Sequence, residues 1–536
     1  MNLNRRQFLR AGGAAAAVAA TGATLAPEAA AAVRPTRRWA ARTSADMPAG
    51  DLETLLLNPA AFGARPGQLE HARQVGGMKW LEEQLDFENI DNSEVEDLLR
   101  DRLPTLNWTN KQFWDLGNND RGQGVRELMQ ATLFRMVYSP RMLHEVMTEF
   151  WSDHFNVSLD SNNVRYYKSV EDREVMRKHA LGSFKDLLTA DAQSPAMLDY
   201  LDNAVSTKRQ PNENYAREIM ELHTTGVAVN GYPYTEEDIK QVSKCFTGWT
   251  IDNRPNAQTR GNYMYNDTAH EQGPKIVFGQ AIDAGLMERD GKIVIDMLCK
   301  HEATPRFIAT KLARRFVCDD PLTDVPQLVE RVASAFERSG GDIRDTLQAL
   351  FSAREFAGSF NNYGGRLARP TDLMVRMLRV SGLPMDKFPL GENSPLFQRV
   401  NYALQKMGHL PFYWATPDGY PDKKTAWAAS GVMLMRWNVG LAMCGVGAGR
   451  GIGARLVDGW TPMDAEGVQK TFATAGEAID YWSERLLHRG LLPEDRALLV
   501  SYLANGGNDA TPFSGVASRL PYAVAMIFDS PYFQWR

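Results

Sequence analysis

Two stretches of this chain bring ionisable side chains to helical spacing. The first is Pro211-Asn-Glu-Asn-Tyr-Ala-Arg-Glu-Ile-Met-Glu-Leu-His-Thr-Thr-Gly226. At about 100° per residue, Glu213, Arg217 and Glu221 form a polar stripe, with Asn214 and Glu218 beside it. Tyr215, Ala216, Ile219, Met220 and Leu222 form the opposite face, and His223 falls on that apolar side. If the stripe looks into a cleft, Glu213, Glu218 and His223 are acid–base candidates and Arg217 clamps the charge. The same spacing also makes an ordinary solvated face, each ion pair worth about 0.2–0.5 kcal/mol. The residues alone leave both readings open.

The second stretch is Glu145-Val-Met-Thr-Glu-Phe-Trp-Ser-Asp-His-Phe155. Glu145, Glu149 and Asp153 share one helix edge, and His154 lies amid Leu143, Met147, Phe150 and Trp151. A histidine in that setting is a core residue or a site member. If this helix packs against the first, His154 and His223 meet, and both become metal-ligand candidates. A His-Glu-x-x-His zinc pair is excluded, because Thr148 stands where the second histidine belongs. Trp249, His270 and Lys275, in Thr247-Gly-Trp249 and His270-Glu-Gln-Gly-Pro-Lys275, are candidates for substrate contact, as is Trp414 in an aromatic loop. No Gly-x-Ser-x-Gly nucleophile elbow occurs.

The elements that must position these residues read mostly as helices. Pro140 precedes a helix near 141–156, and Gln210-Pro211 and Gly226 bracket the first acidic stretch. Thr235-Glu-Glu-Asp238 is a capping-box start, with Gly248 a plausible stop. Further helices are expected over 290–300, 304–317, 325–338, 342–351, 371–380, 426–443, 475–488, 495–503 and 516–528. The Pro- and aromatic-rich stretch 388–424 reads as irregular. Strand signals are confined to Tyr263-Met-Tyr265 and Ile276-Val-Phe278. The Gly445–Gly453 run lacks the Lys-Ser/Thr ending of a phosphate loop and reads as a connector. The expected fold is all-α, one large multi-helix domain over 51–536 with a minor β-hairpin near 260–280.

Arg5-Arg6-Gln-Phe-Leu and the Ala/Gly-rich run after it read as a twin-arginine export leader over 1–32, followed by a linker over 33–50. The apolar run is too short for a stable membrane span, and no later stretch in the mature chain is long and apolar enough. The protein is therefore expected outside the cytoplasm, periplasmic or extracellular. A formal charge of −5 without a basic tract argues against nucleic acid as a partner. Cys245, Cys299, Cys318 and Cys444 are too scattered for a thiolate zinc site, and either disulfides or free buried thiols are compatible with them.

The strings 211–226, Tyr234-Thr-Glu-Glu-Asp238 and Phe246-Thr-Gly-Trp249 resemble the bacterial family called "domain of unknown function 1800". So do Leu56–Gly63, Glu149–Phe155, Leu198–Asn203 and His270–Lys275, although the family usually has His-Asp where this chain has His270-Glu271. The resemblance runs from about residue 51 to the end. It implies a largely helical exported protein and no established activity or cofactor. The residues themselves point to a hydrolase acting on an extracellular polymer through a carboxylate/histidine pocket. A non-enzymatic envelope protein that binds a polymer or another exported protein, and a metal-binding protein, are the alternatives.

Overall fold

The computed structural model describes residues 47–116, 121–161, 163–229, 232–362, 365–447 and 451–536. The expected leader and most of the linker lie outside the described residues, as does the middle of the Gly445–Gly453 run. Helix accounts for 59% of the structure, and the strands form two small antiparallel two-stranded sheets. The chain is mostly all-α, and one contiguous apolar core runs through nearly every helix.

Helix α1 (Met142–His154) is central to that core. It starts just past Pro140, which cannot continue the preceding helix. Leu143, Val146, Met147, Phe150 and Trp151 are buried, as the apolar spacing requires. Trp151 is fully enclosed and its indole N–H donates to the Ala180 carbonyl at 2.9 Å. Helix α2 (Glu213–Glu221) is capped by Asn212, whose side chain accepts from the Tyr215 N–H. The helix therefore starts two residues later than Pro211 suggests. Helix α3 (Glu236–Cys245) has the expected capping box, with Thr235 and Asp238 each bonding the other's backbone.

Strands β1 (Trp249–Ile251) and β2 (Tyr263–Tyr265) pair in register, Trp249 opposite Tyr265. Strands β3 (Lys275–Val277) and β4 (Gln280–Ile282) form a second hairpin closed by Phe278 and Gly279. The β part is thus two hairpins where one was expected. Helices α4 (Arg289–Lys300), α5 (Ala303–Phe316) and α6 (Pro370–Val380) follow.

Two expectations need correction. The stretch 388–424 contains a helix, Pro395–Lys406, capped by Ser394 with Pro395 at its first position. Its Leu396, Phe397, Val400, Ala403 and Leu404 are buried at helical spacing, a signal masked by the flanking prolines and rings. The stretch 426–443 is two helices, Lys424–Trp427 and Ser430–Met443. All four cysteines are free. Burial pushes the thiols of Cys245 and Cys299 up to about 12, which leaves them unreactive near neutral pH.

Replacing Trp151 removes a large core side chain and strands the Ala180 carbonyl. Trp151→Ala is expected to cost about 3–5 kcal/mol in denaturant unfolding, whereas a loss within 1 kcal/mol would show that the core collapses around the gap.

Candidate functional site

The acidic edge of α1 forms one wall of a cleft of about 540 Å³, counted out to its mouth. Most of that space is open to solvent, and the enclosed part is about 30 Å³, little more than one water molecule needs. Glu145, Thr148, Glu149, Ser152 and Asp153 line it from α1, and Asn156 from just beyond the helix. The helical period puts them there, since they recur at three- and four-residue steps. The opposite wall is His409 with Pro411, Phe412 and Tyr420, from the loop that follows the Pro395–Lys406 helix. Asn156 fastens this loop by donating to the carbonyls of Trp414 and Thr416, at 3.0 and 2.7 Å. Gly419 completes the seal. Its φ is +75°, and a Cβ there would lie 2.0 Å from the Asp153 carbonyl oxygen. Only glycine allows so close an approach.

Behind the cleft lies a buried charge network. Arg315 of α5 donates to Glu149 at 2.9 Å and to Asp372 at 3.1 Å. Arg369, just before α6, donates to Asp153 at 2.6 Å and to Glu149. Arg536 pairs with Asp372 at 2.8 Å. Burial acts to raise the Asp372 carboxyl, but Arg315, Arg536 and Arg369 together hold it far below the usual carboxylate range. Asp153 behaves oppositely. Burial, reinforced by the Asp422 carboxylate, pushes it well above the usual range, so that it holds a proton more readily than its neighbours. On the far side of Asp153, burial pulls the Lys311 amine down to about 8 although Asp422 and Asp153 draw it up.

His409 has a fixed tautomer. Its Nδ1 accepts from the Thr371 N–H at 3.1 Å, so the neutral ring carries its proton on Nε2. Burial, aided by the Arg369 charge, keeps the ring's pKa well below the usual value and the imidazole neutral. Glu149, Asp153 and His409 each bring one donor atom to within 4.8 Å of the others. They form the one group of three possible metal ligands among the described residues. Arg369, however, already bridges one oxygen of Glu149 and one of Asp153, the position a divalent cation would take. Ser152, 7% exposed, lines the cleft with a hydroxyl that has no hydrogen-bond partner. The cleft therefore offers a carboxyl group raised above its usual range, a second one matched by two guanidiniums, a neutral imidazole and a free hydroxyl.

The residues singled out from spacing are distributed over three places. His154 and His223 do meet: His154 Nε2 donates to the His223 carbonyl at 3.0 Å, with ring centroids 6.0 Å apart. Burial holds the His223 imidazole at about 3 and that of His154 well below its usual value, so both are neutral. His154 Nδ1 and both His223 nitrogens lack partners. Trp249, His270 and Lys275 are all fully enclosed. Glu213 and Arg217 face outward, and Arg217 clamps Glu236 of α3 at 2.8 Å. Glu218 is half-buried, and burial with Glu221 raises its carboxyl. Trp414 donates to Asp418 at 2.9 Å, at the edge of the same loop that walls the cleft. None of these residues lines the cleft itself. The edge Glu145–Glu149–Asp153 was visible in the sequence. His409, Arg315 and Arg369 were not, because they come from three distant segments without a shared motif.

A family model described as protein of unknown function (DUF1800) matches residues 55–535, and one for the twin-arginine translocation signal matches residues 2–22. The chain belongs to that family and carries an export signal for passage across the cytoplasmic membrane. No curated protein and no solved structure matches it. No helix among the described residues is long and apolar enough to cross a membrane.

Glu145 allows a test of the cleft's electrostatics. Burial acts to raise its carboxyl, but Arg177 and His144 outweigh this and hold it at about 2, against 4.5 for a free glutamate. A depressed native pKa stabilises the fold above the unfolded value. That contribution, of order 3 kcal/mol, is full above about pH 4.5 and disappears as pH falls through 2. Glu145→Gln is expected to flatten the stability–pH curve in this window. Parallel acid losses in variant and wild type would contradict it.

Proposed function

We propose that this DUF1800 member is an exported hydrolase that cuts an extracellular polymer, and that the polymer is a glycan. The observation that carries this reading is the pair Glu149 and Asp153, their carboxyl oxygens within 4.8 Å in one cleft and their surroundings different. Paired carboxyl groups with divergent proton affinity divide the roles of acid and base. Asp153, which holds its proton, donates to the departing glycosidic oxygen. Glu149 faces the positive charge that develops on the sugar ring. Water then adds to the anomeric carbon and returns its proton to Asp153, so one glycosidic bond and one water become two hydroxyl groups.

The other groups suit a neutral polyol. His409 donates through Nε2–H, Ser152 and Thr148 offer hydroxyls, and Phe412 and Tyr420 supply ring surface to the apolar faces of a sugar. Carboxylates and guanidiniums are matched behind the wall, so the cleft has no strong preference for an ionic ligand. Trp414, which donates to Asp418, borders the outer side of the loop, where a longer chain would continue.

The test is release of reducing ends from a panel of soluble extracellular polysaccharides. Wild-type protein is expected to release them, and Asp153→Asn to lose about 10²–10⁴-fold in kcat/KM with melting unchanged to within a few degrees. Binding without release, equal in both proteins, would make the chain a glycan-binding envelope protein. Neither binding nor release would overturn the glycan reading.

A further inference from the structure

Lys275, His270 and Asp290 form a sealed cluster away from the cleft. The Lys275 amine contacts Asp290 Oδ2 and the Glu271 carbonyl. His270 Nε2 lies 3.1 Å from the same Oδ2. The side chains of all three are fully enclosed. Tyr265 lies edge-on to His270, ring centroids 5.6 Å apart, and Trp249 and Phe246 lie against Gly291, next to Asp290. Gly291 permits this packing, because a Cβ there would lie 2.5 Å from the Trp249 ring. Asp290 Oδ1 has no hydrogen-bond partner.

The proton positions follow from the partners. His270 Nδ1 lies 2.7 Å from the Thr247 carbonyl, which only accepts, so Nδ1 carries a hydrogen. Nε2 faces Asp290 Oδ2, the same oxygen that the Lys275 amine contacts, so the three groups meet at one carboxyl oxygen. Transfer of one proton from Nζ to Oδ2 turns an ammonium and a carboxylate into an amine and a carboxylic acid, a nucleophile beside the group it would attack and beside a ring able to carry a proton.

We propose that Lys275 and Asp290 become joined by an intramolecular isopeptide bond, with His270 as the proton carrier. Nζ attacks Cγ of the protonated carboxyl group. A proton from Nζ passes through His270 Nε2 to the departing hydroxyl, which leaves as water. The product is an Nζ–Cγ amide. The step consumes no oxidant and needs no cofactor. Its effect is to tie β3 to the start of α4, a covalent staple in a chain whose four cysteines are unpaired. The exclusion of water that favours condensation also protects the amide from hydrolysis.

The test is tandem mass spectrometry of a tryptic digest of the folded, full-length protein. The expected result is no cleavage after Lys275 and a branched peptide joining the Lys275 and Asp290 segments, lighter by one water than their sum. In Lys275→Arg, whose guanidinium is not an effective nucleophile, the branched peptide is expected to vanish. Recovery of separate Lys275 and Asp290 peptides of ordinary mass from folded wild-type protein would overturn the proposal, whether or not the variant folds.

Discussion

The ion network around Arg315 and Arg369 is the constraint on which the site depends. Charges taken out of water cost several kcal/mol each unless partners and hydrogen bonds replace the lost hydration. Here Glu149, Asp153, Asp372 and Asp422 are set against Arg315, Arg366, Arg369 and Arg536. The members come from α1, α5, the start of α6, the loop after Pro395–Lys406, and the last residue of the chain. No one of these segments can shift without leaving a buried charge unmatched. The network therefore holds α1 with its acidic edge toward the cleft and the His409 loop opposite it.

The same network makes the acids unequal. Asp372 has three arginines and stays ionised, whereas Asp153 has one close guanidinium, shared with Glu149, and the Asp422 carboxylate nearby. Carboxyl groups on one helix edge thus acquire different proton affinities from their neighbours alone. His409 adds an imidazole whose tautomer is set by a backbone N–H, so it donates into the cleft without becoming charged. Structural charge matching and unequal carboxyl groups are two consequences of one arrangement.

The helices, the Thr235 capping box and the family were legible in the sequence because each rests on local signals: apolar period, cap residues and contiguous strings. The meeting of His154 and His223 was legible too, since each sits on the buried side of an amphipathic helix. The cleft was only half visible. Glu145, Glu149 and Asp153 lie on one edge by arithmetic, but whether an edge faces water or a cavity is decided by what packs on it. Arg315 and Arg369 carry no mark in the sequence, because a buried arginine has no local signature. Trp249, His270 and Lys275 read as candidates for substrate contact, because polar residues between glycines look accessible until the hairpin folds over them. The Pro395–Lys406 helix was hidden by prolines that turn out to start it.

The central claim is that Asp153 binds its proton more tightly than an ordinary carboxyl group while Asp372 and Asp422 bind theirs less tightly. Infrared difference spectroscopy between wild-type protein and Asp153→Asn measures this directly. The account predicts a protonated-carboxyl C=O band that is absent from the variant and persists above the usual carboxylate range. A spectrum in which Asp153 contributes only carboxylate bands, already ionised in mild acid, would contradict it.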